Sequence, residues 1–201
     1  MKKLDVPFKF QKVDQGCLLA CLEMVLNYFH KKDYQKLIND LSCDKFGYDI
    51  LEVSQNLIAN NYKIEVGGFD SDIFKQKKAA FTLTDLEKIY QKEELTKYPK
   101  QDLKALIKFA KKYSEQLNIG YKDLDFLKQK IDQGLPVIIN LSARTLGVEI
   151  EEAIHSVVLI GYDQKGFSIL NPPKRGEEYV KNKDLKFFWY DASQYYLVIK
   201  K

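Results

Sequence analysis

The sequence predicts an α+β fold, on three observations. Helical periodicity dominates up to Gly120, apolar runs of strand length follow it, and turn residues join two of those runs into a hairpin. The expected layout is an N-terminal helical part packed on a C-terminal antiparallel β-sheet. With 201 residues, 45% of them hydrophobic, the chain can bury one sizeable core, so a single domain over 1–201 is expected. Within it we distinguish a helical part (1–66), a helical insertion (67–120) and a sheet part (121–201).

The elements follow in chain order. Leu18, Leu22, Val25 and Phe29 recur at spacings of four, three and four, which is one apolar stripe on a helix entered near Asp14. A second helix is expected over Asp33–Leu41 and a third over Ile50–Ala59. Tyr62–Val66 reads as a short strand stopped by Gly67 and Gly68. The Lys- and Glu-rich stretch Phe69–Gly120 is again helical, most clearly over Asp102–Leu117. LDFLKQKIDQG then predicts a helix ending at Gly134, and PVIINLS, Pro136–Ser142, a buried strand. Ile154–Tyr162, the turn Asp163–Gly166 and Phe167–Leu170 form a hairpin that Asn171-Pro172-Pro173 ends, and Gln194–Lys200 supplies a final strand.

Composition narrows the function. The formal charge of +4 is spread along the chain rather than gathered in one arm, and KFAKKY at Lys108–Tyr113 has the spacing of the solvated side of a helix, so nucleic acid is not an expected partner. No apolar run approaches a membrane span, and MKKLDVPFKF lacks the apolar core of a secretory signal, so the expected location is cytoplasmic. Three cysteines, Cys17, Cys21 and Cys43, are an odd number in a chain able to bury a core, which argues for reduced thiols rather than a disulfide framework.

Cys17 stands apart from the other two. With Asp14 as N-cap it falls in the first turn of the first helix, where the helix dipole favours a thiolate, and Gly16 leaves one side of the sulfur open. Cys21 and Cys43 lie within apolar helical patterns and read as small buried hydrophobes. A nucleophilic thiol needs a base, and the chain has two histidines. His30 ends the first helix, a position that suits an imidazole structurally. His155 opens an almost wholly apolar strand, where a polar ring needs a specific partner; a satisfied core histidine is the alternative.

Asn171, at the open end of the same hairpin, can be that partner, or can simply start the Asn-Pro-Pro turn. Counting the register with Gln164–Gly166 as the loop puts Asn171 opposite Leu159, on the face of His155 but four positions away. At about 3.3 Å per residue that is too far without twist or a bulge. For the oxyanion of an acyl transfer, Gln11 and Gln15 are the candidate side-chain donors. A structural zinc site built from the three cysteines and a histidine is a further reading, weakened by the lack of a Cys-x-x-Cys pair.

The order Gln11, Cys17, His155, Asn171, with CLLACLEMVLNYF and HSVVLIGYDQKGFSILNP, resembles the papain-like cysteine peptidases, most closely the bacteriocin-processing, double-glycine leader peptidases. Ala20, Cys21, Leu22 and Met24 match the family's pattern after the nucleophile, and Gly161-Tyr162-Asp163 and Asn171-Pro172 match its strand end and third residue. IDQGLPVIINL is similar to its strand entry. Departures are Leu18, where many members carry Gly, Asn171, where Asp is commoner, and the longer middle; no transporter segment follows, so classical coupling to peptide export is not expected.

The resemblance implies a papain-like fold and a catalytic set in which Cys17 is nucleophile, His155 base and acid, Asn171 orienter and Gln11 oxyanion donor. It implies a peptide or protein substrate and no metal or organic cofactor. Acyl transfer by the same residues, or a catalytically silent peptide-binding relative, are the alternatives. An aspartate at 171 is expected to accept the same hydrogen bond.

Overall fold

The computed structural model describes residues 2–12, 15–30, 37, 41, 48–91, 95–142, 154–174 and 176–200. The stripe that begins at Leu18 lies on helix α1, Cys17–Tyr28. Ala20, Cys21, Leu22, Met24, Val25 and Leu26 are all buried, so the helix is enclosed over most of its circumference rather than along one stripe. It packs on strands β4 (Val137–Ser142) and β5 (Ile154–Tyr162). Their continuous apolar runs are themselves buried, as strands covered on both faces must be.

Helix α2 spans Ile50–Ala59, the expected range, and is capped by the Asp49 carboxylate, which accepts from the Leu51 and Glu52 N–H groups at 2.8 Å each. The helix expected over Asp33–Leu41 lies outside the described residues except for Leu37, which is buried, and Leu41.

The remaining strands are β1 (Lys2–Lys3), β2 (Lys63–Gly68), β3 (Leu117–Ile119), β6 (Gly166–Leu170), β7 (Glu177–Lys181) and β8 (Tyr196–Lys200). They make one sheet in the order β3-β2-β8-β4-β5-β6-β7, with β1 paired to the end of β5. Every pairing is antiparallel except β2 with β3, which is parallel.

Gly67 and Gly68 do not stop β2; they are part of it. A Cβ at Gly67 would run into the Asn118 carbonyl and the Tyr196 ring, so the missing side chain is what lets β3 and β8 close in on either side.

Two helices occupy the middle of the chain, as its periodicity predicts. Helix α3 (Leu83–Tyr90) begins with a capping box between Thr82 and Asp85 and packs against α4 (Lys97–Tyr113). Helix α4 ends before the expected Leu117 because that residue opens β3 beside Val66. Leu86, Leu103, Leu106 and Phe109 face inward, and Phe69, Phe74 and Phe81 pack as a ring cluster beside them. Helix α5 (Leu124–Asp132) ends before Gly134, whose φ of 76° is the left-handed turn a glycine supplies.

Helix α6 (Asn182–Asp191) and strand β7 were not foreseen from sequence. Helix α6 buries only Leu185 and Trp189, one turn apart, and β7 alternates exposed and half-buried residues. Both are held by the sheet more than by an apolar pattern of their own.

Candidate active site

Helix α1 begins at Cys17 itself. Its N-cap is Gly16, which has no side chain to offer the first turn; Asp14, the expected cap, lies outside the described residues.

The Cys17 sulfur receives the Ser156 backbone N–H at 3.4 Å and interacts with the His155 side chain by hydrogen bond and charge. Burial acts to raise the thiol's pKa. The His155 hydrogen bond and charge, with the Ser156 backbone and hydroxyl, outweigh it and hold the thiol below its ordinary value. One turn along the helix the opposite holds for Cys21. It is fully buried, and burial together with the Cys17 charge pushes its pKa well above the ordinary value. Cys43 lies outside the described residues.

His155 opens β5, as predicted after Ile154, and is buried opposite Leu141 of β4. Its Nε2 lies 2.8 Å from Asn171 Oδ1. The register explains how. Tyr162 pairs with Phe167 and Gly161 with Ser168, but Leu159 pairs with Ile169 and Val158 with Leu170, so Ile160 is the extra residue of a bulge. The turn is also one residue tighter than the counted one, Tyr162 facing Phe167 rather than Ser168. Each effect moves Asn171 by one position. Continued from Leu170, the ladder sets it opposite Val157, two positions from His155 and on the same face. The four-position gap counted from sequence is closed by half, and the side chains span the rest.

The turn after β6 is fastened on both sides. The Lys174 N–H donates to the Asn171 carbonyl at 3.1 Å, and the Gln11 N–H donates to the Pro172 carbonyl at 3.3 Å. Gln11, far ahead of Asn171 in sequence, is thereby held next to the segment carrying it. Gln15, the competing donor, is exposed with a left-handed φ of 63°. His30 lies past the far end of α1, exposed, its N–H on the Asn27 carbonyl at 2.9 Å. A 12-residue helix is about 18 Å long, which separates His30 from Cys17.

Three residues at the site were not singled out from sequence. Ser156 places its N–H on the thiol and its hydroxyl on Asn140 Oδ1 at 2.9 Å, both side chains being buried. Their signal was a polar residue inside each of two apolar runs, IHSVVLIGY and PVIINLS. Glu178 accepts from Asn171 Nδ2 at 2.6 Å. It sits on β7, and with that strand unpredicted nothing pointed to it.

Among the described residues no three His, Cys, Asp or Glu side chains converge as metal ligands, and no helix is long and apolar enough to cross a membrane.

Residues 3–200 match the family model described as Peptidase C39 like. The chain belongs to this family. The C39-like fold extends to solved structures. A Bacillus anthracis protein described as a C39-like peptidase aligns over 100% of this chain and 98% of its own, at 18% identity and a TM-score of 0.59. A double glycine motif protease from an AMS/PCAT transporter, solved with the leader peptide, aligns over 99% of this chain and 94% of its own, at 18% identity and a TM-score of 0.50. No protein of curated function matches the chain. Family membership places this C39-like chain with the cysteine peptidases, and its α+β fold is the papain-like one.

Proposed function

We propose that this C39-like chain hydrolyses a peptide or isopeptide amide through a Cys17–His155–Asn171 triad. The observation that carries the reading is the shared imidazole: Nε2 is committed to Asn171 Oδ1 at 2.8 Å, which leaves Nδ1 to serve the Cys17 thiol.

In this mechanism Cys17 gives its proton to His155 and its sulfur attacks the carbonyl carbon. The resulting oxyanion is met by the Cys17 N–H at the start of α1 and by the Gln11 amide. His155 then protonates the leaving amine, and the C–N bond breaks to give a thioester. Water, losing a proton to His155, attacks the thioester and releases the carboxylic acid, and the proton returns to sulfur. These side chains and water account for every proton in the cycle, so the reading calls on no cofactor.

The leader-peptide complex of the double glycine motif protease supports a peptide as substrate class. We further place the chain in the cytoplasm, as a single domain over 1–201 in which 67–120 is an insertion.

The test is cleavage of a peptide library, including leader-like peptides with a Gly-Gly site, followed by mass spectrometry. Cleavage with a free carboxylate product, lost in Cys17→Ala, supports the reading. Cleavage that survives Cys17→Ala would sink it.

A further inference from the structure

Glu178 meets the Asn171 amide on the side away from His155. An asparagine amide has two faces, an acceptor oxygen and a donor NH₂, and only the oxygen orients a ring that donates from Nε2. The carboxylate of Glu178 is acceptor-only. With Oε2 at 2.6 Å from Asn171 Nδ2, the flipped amide would set oxygen against oxygen on one side and NH₂ against the ring N–H on the other.

We propose that Glu178 is a positioning residue for the triad: it locks the Asn171 amide with Oδ1 toward His155, thereby fixing the ring as donor at Nε2 and acceptor at Nδ1, where Cys17 delivers its proton. This rests on the peptidase reading above and adds a fourth residue to it.

The surroundings suit the role. Asn171 is 1% exposed, so with Glu178 in place its amide is met by protein groups on both sides rather than by bulk water. Glu178 faces Ile169 across the β6–β7 ladder, which holds it beside the end of β6. One cation pairs with it directly: Lys174, whose Nζ is 2.8 Å from Oε1. The two carboxylate oxygens are thus divided, one to Lys174 at the surface and one to Asn171 inside. A carboxylate serving only an exposed i,i+4 ion pair would contribute little and would not reach Asn171.

The test needs no substrate. Iodoacetamide alkylation of Cys17 is followed by mass spectrometry between pH 5 and 9 in a double-mutant cycle of Glu178→Gln and Asn171→Asp, with Lys174→Ala as a control. Glutamine keeps the shape of Glu178 but presents a donor as readily as an acceptor. In the natural background Glu178→Gln should slow Cys17 alkylation at pH 6 by roughly three- to tenfold and move its pH profile upward. In the Asn171→Asp background the loss should vanish or become a gain, because an aspartate has no orientation to lock and a glutamine can donate to it. Lys174→Ala should not reproduce the loss.

Three results overturn the proposal: no change in Glu178→Gln alone, the same loss in both backgrounds, or an equal loss in Lys174→Ala, which would make the ion pair the operative feature. Failure of the peptidase reading is separately visible. Natural Cys17 would then alkylate no faster below neutral pH than an ordinary thiol, and the role of Glu178 would fall with it.

Discussion

His155 and Asn171 are joined at 2.8 Å because Ile160 of β5 has no partner in β6. Without that bulge, every residue of β6 beyond Ser168 would sit one place further from His155. Bulges twist and bend a ladder locally, and here the effect is to bring a strand end and a strand start to one side chain contact. A backbone irregularity thus sets the geometry of the candidate active site.

Replacing Asn171 by alanine follows directly from this contact. The ring loses the partner of Nε2 while Cys17 and Ser156 stay where they are, so the imidazole is free to rotate. Turnover is expected to fall on the order of a hundredfold with little change in substrate binding. Rates and melting temperature measured together separate this from a role confined to the Asn-Pro-Pro turn, for which stability would drop and turnover per folded molecule would not.

The two described cysteines should report opposite environments. Cys17 has its pKa lowered, so its thiolate, the form that alkylates, persists as pH falls below the range of an ordinary thiol. Cys21 has its pKa raised and is closed to solvent, so it stays protonated and shielded in the same range. At pH 6 iodoacetamide should therefore mark Cys17 first, and mass mapping of the modified peptides reads the order. Equal, slow labelling would remove the activated thiol.

Gln11 is held beside the Asn171 turn by its backbone, whereas Gln15 is exposed. Gln11→Ala should lower turnover about a hundredfold, the usual loss of one oxyanion donor, and leave Cys17 alkylation nearly unchanged because alkylation forms no oxyanion. Gln15→Ala should change neither turnover nor alkylation. A larger loss in Gln15→Ala would exchange the two assignments.

What could be read in advance follows physical lines. Long apolar periodicity fixed α1, α2, α5 and the β4–β5–β6 set, because burial on one or both faces demands it. Cys17, His155, Asn171 and Gln11 were visible as a set through the resemblance, since a thiol at a helix start and a histidine in an apolar strand each have an ordinary packing reading as well. The convergence of Cys17, His155 and Asn171 was not. It depends on Ile160 being skipped, and no residue type there marks a bulge. Gly67 was misread as a stop because a glycine that admits a neighbouring carbonyl looks, in one dimension, like a glycine that ends a strand. Glu178 was hidden because β7 gains its structure from pairing with β6 rather than from its own alternation.

Ser156 links reactivity to stability and so allows the site to be tested from both sides. Its hydroxyl donates to Asn140 Oδ1 at 2.9 Å in a buried pocket between β4 and β5, and the hydroxyl also helps hold the Cys17 pKa down. In Ser156→Ala the Asn140 oxygen loses that donor without access to bulk water, a change worth about 1–3 kcal/mol, read as a lower urea midpoint with unchanged m-value. The Ser156 N–H remains on the sulfur, and so does His155, so Cys17 should still alkylate ahead of Cys21, with its pH profile moved upward by only a fraction of what loss of His155 would produce. Measuring both quantities in Ser156→Ala and His155→Ala ranks the contributions. If Ser156→Ala abolished the acid-side reactivity as fully as His155→Ala, the serine rather than the histidine would be the group that activates the thiol.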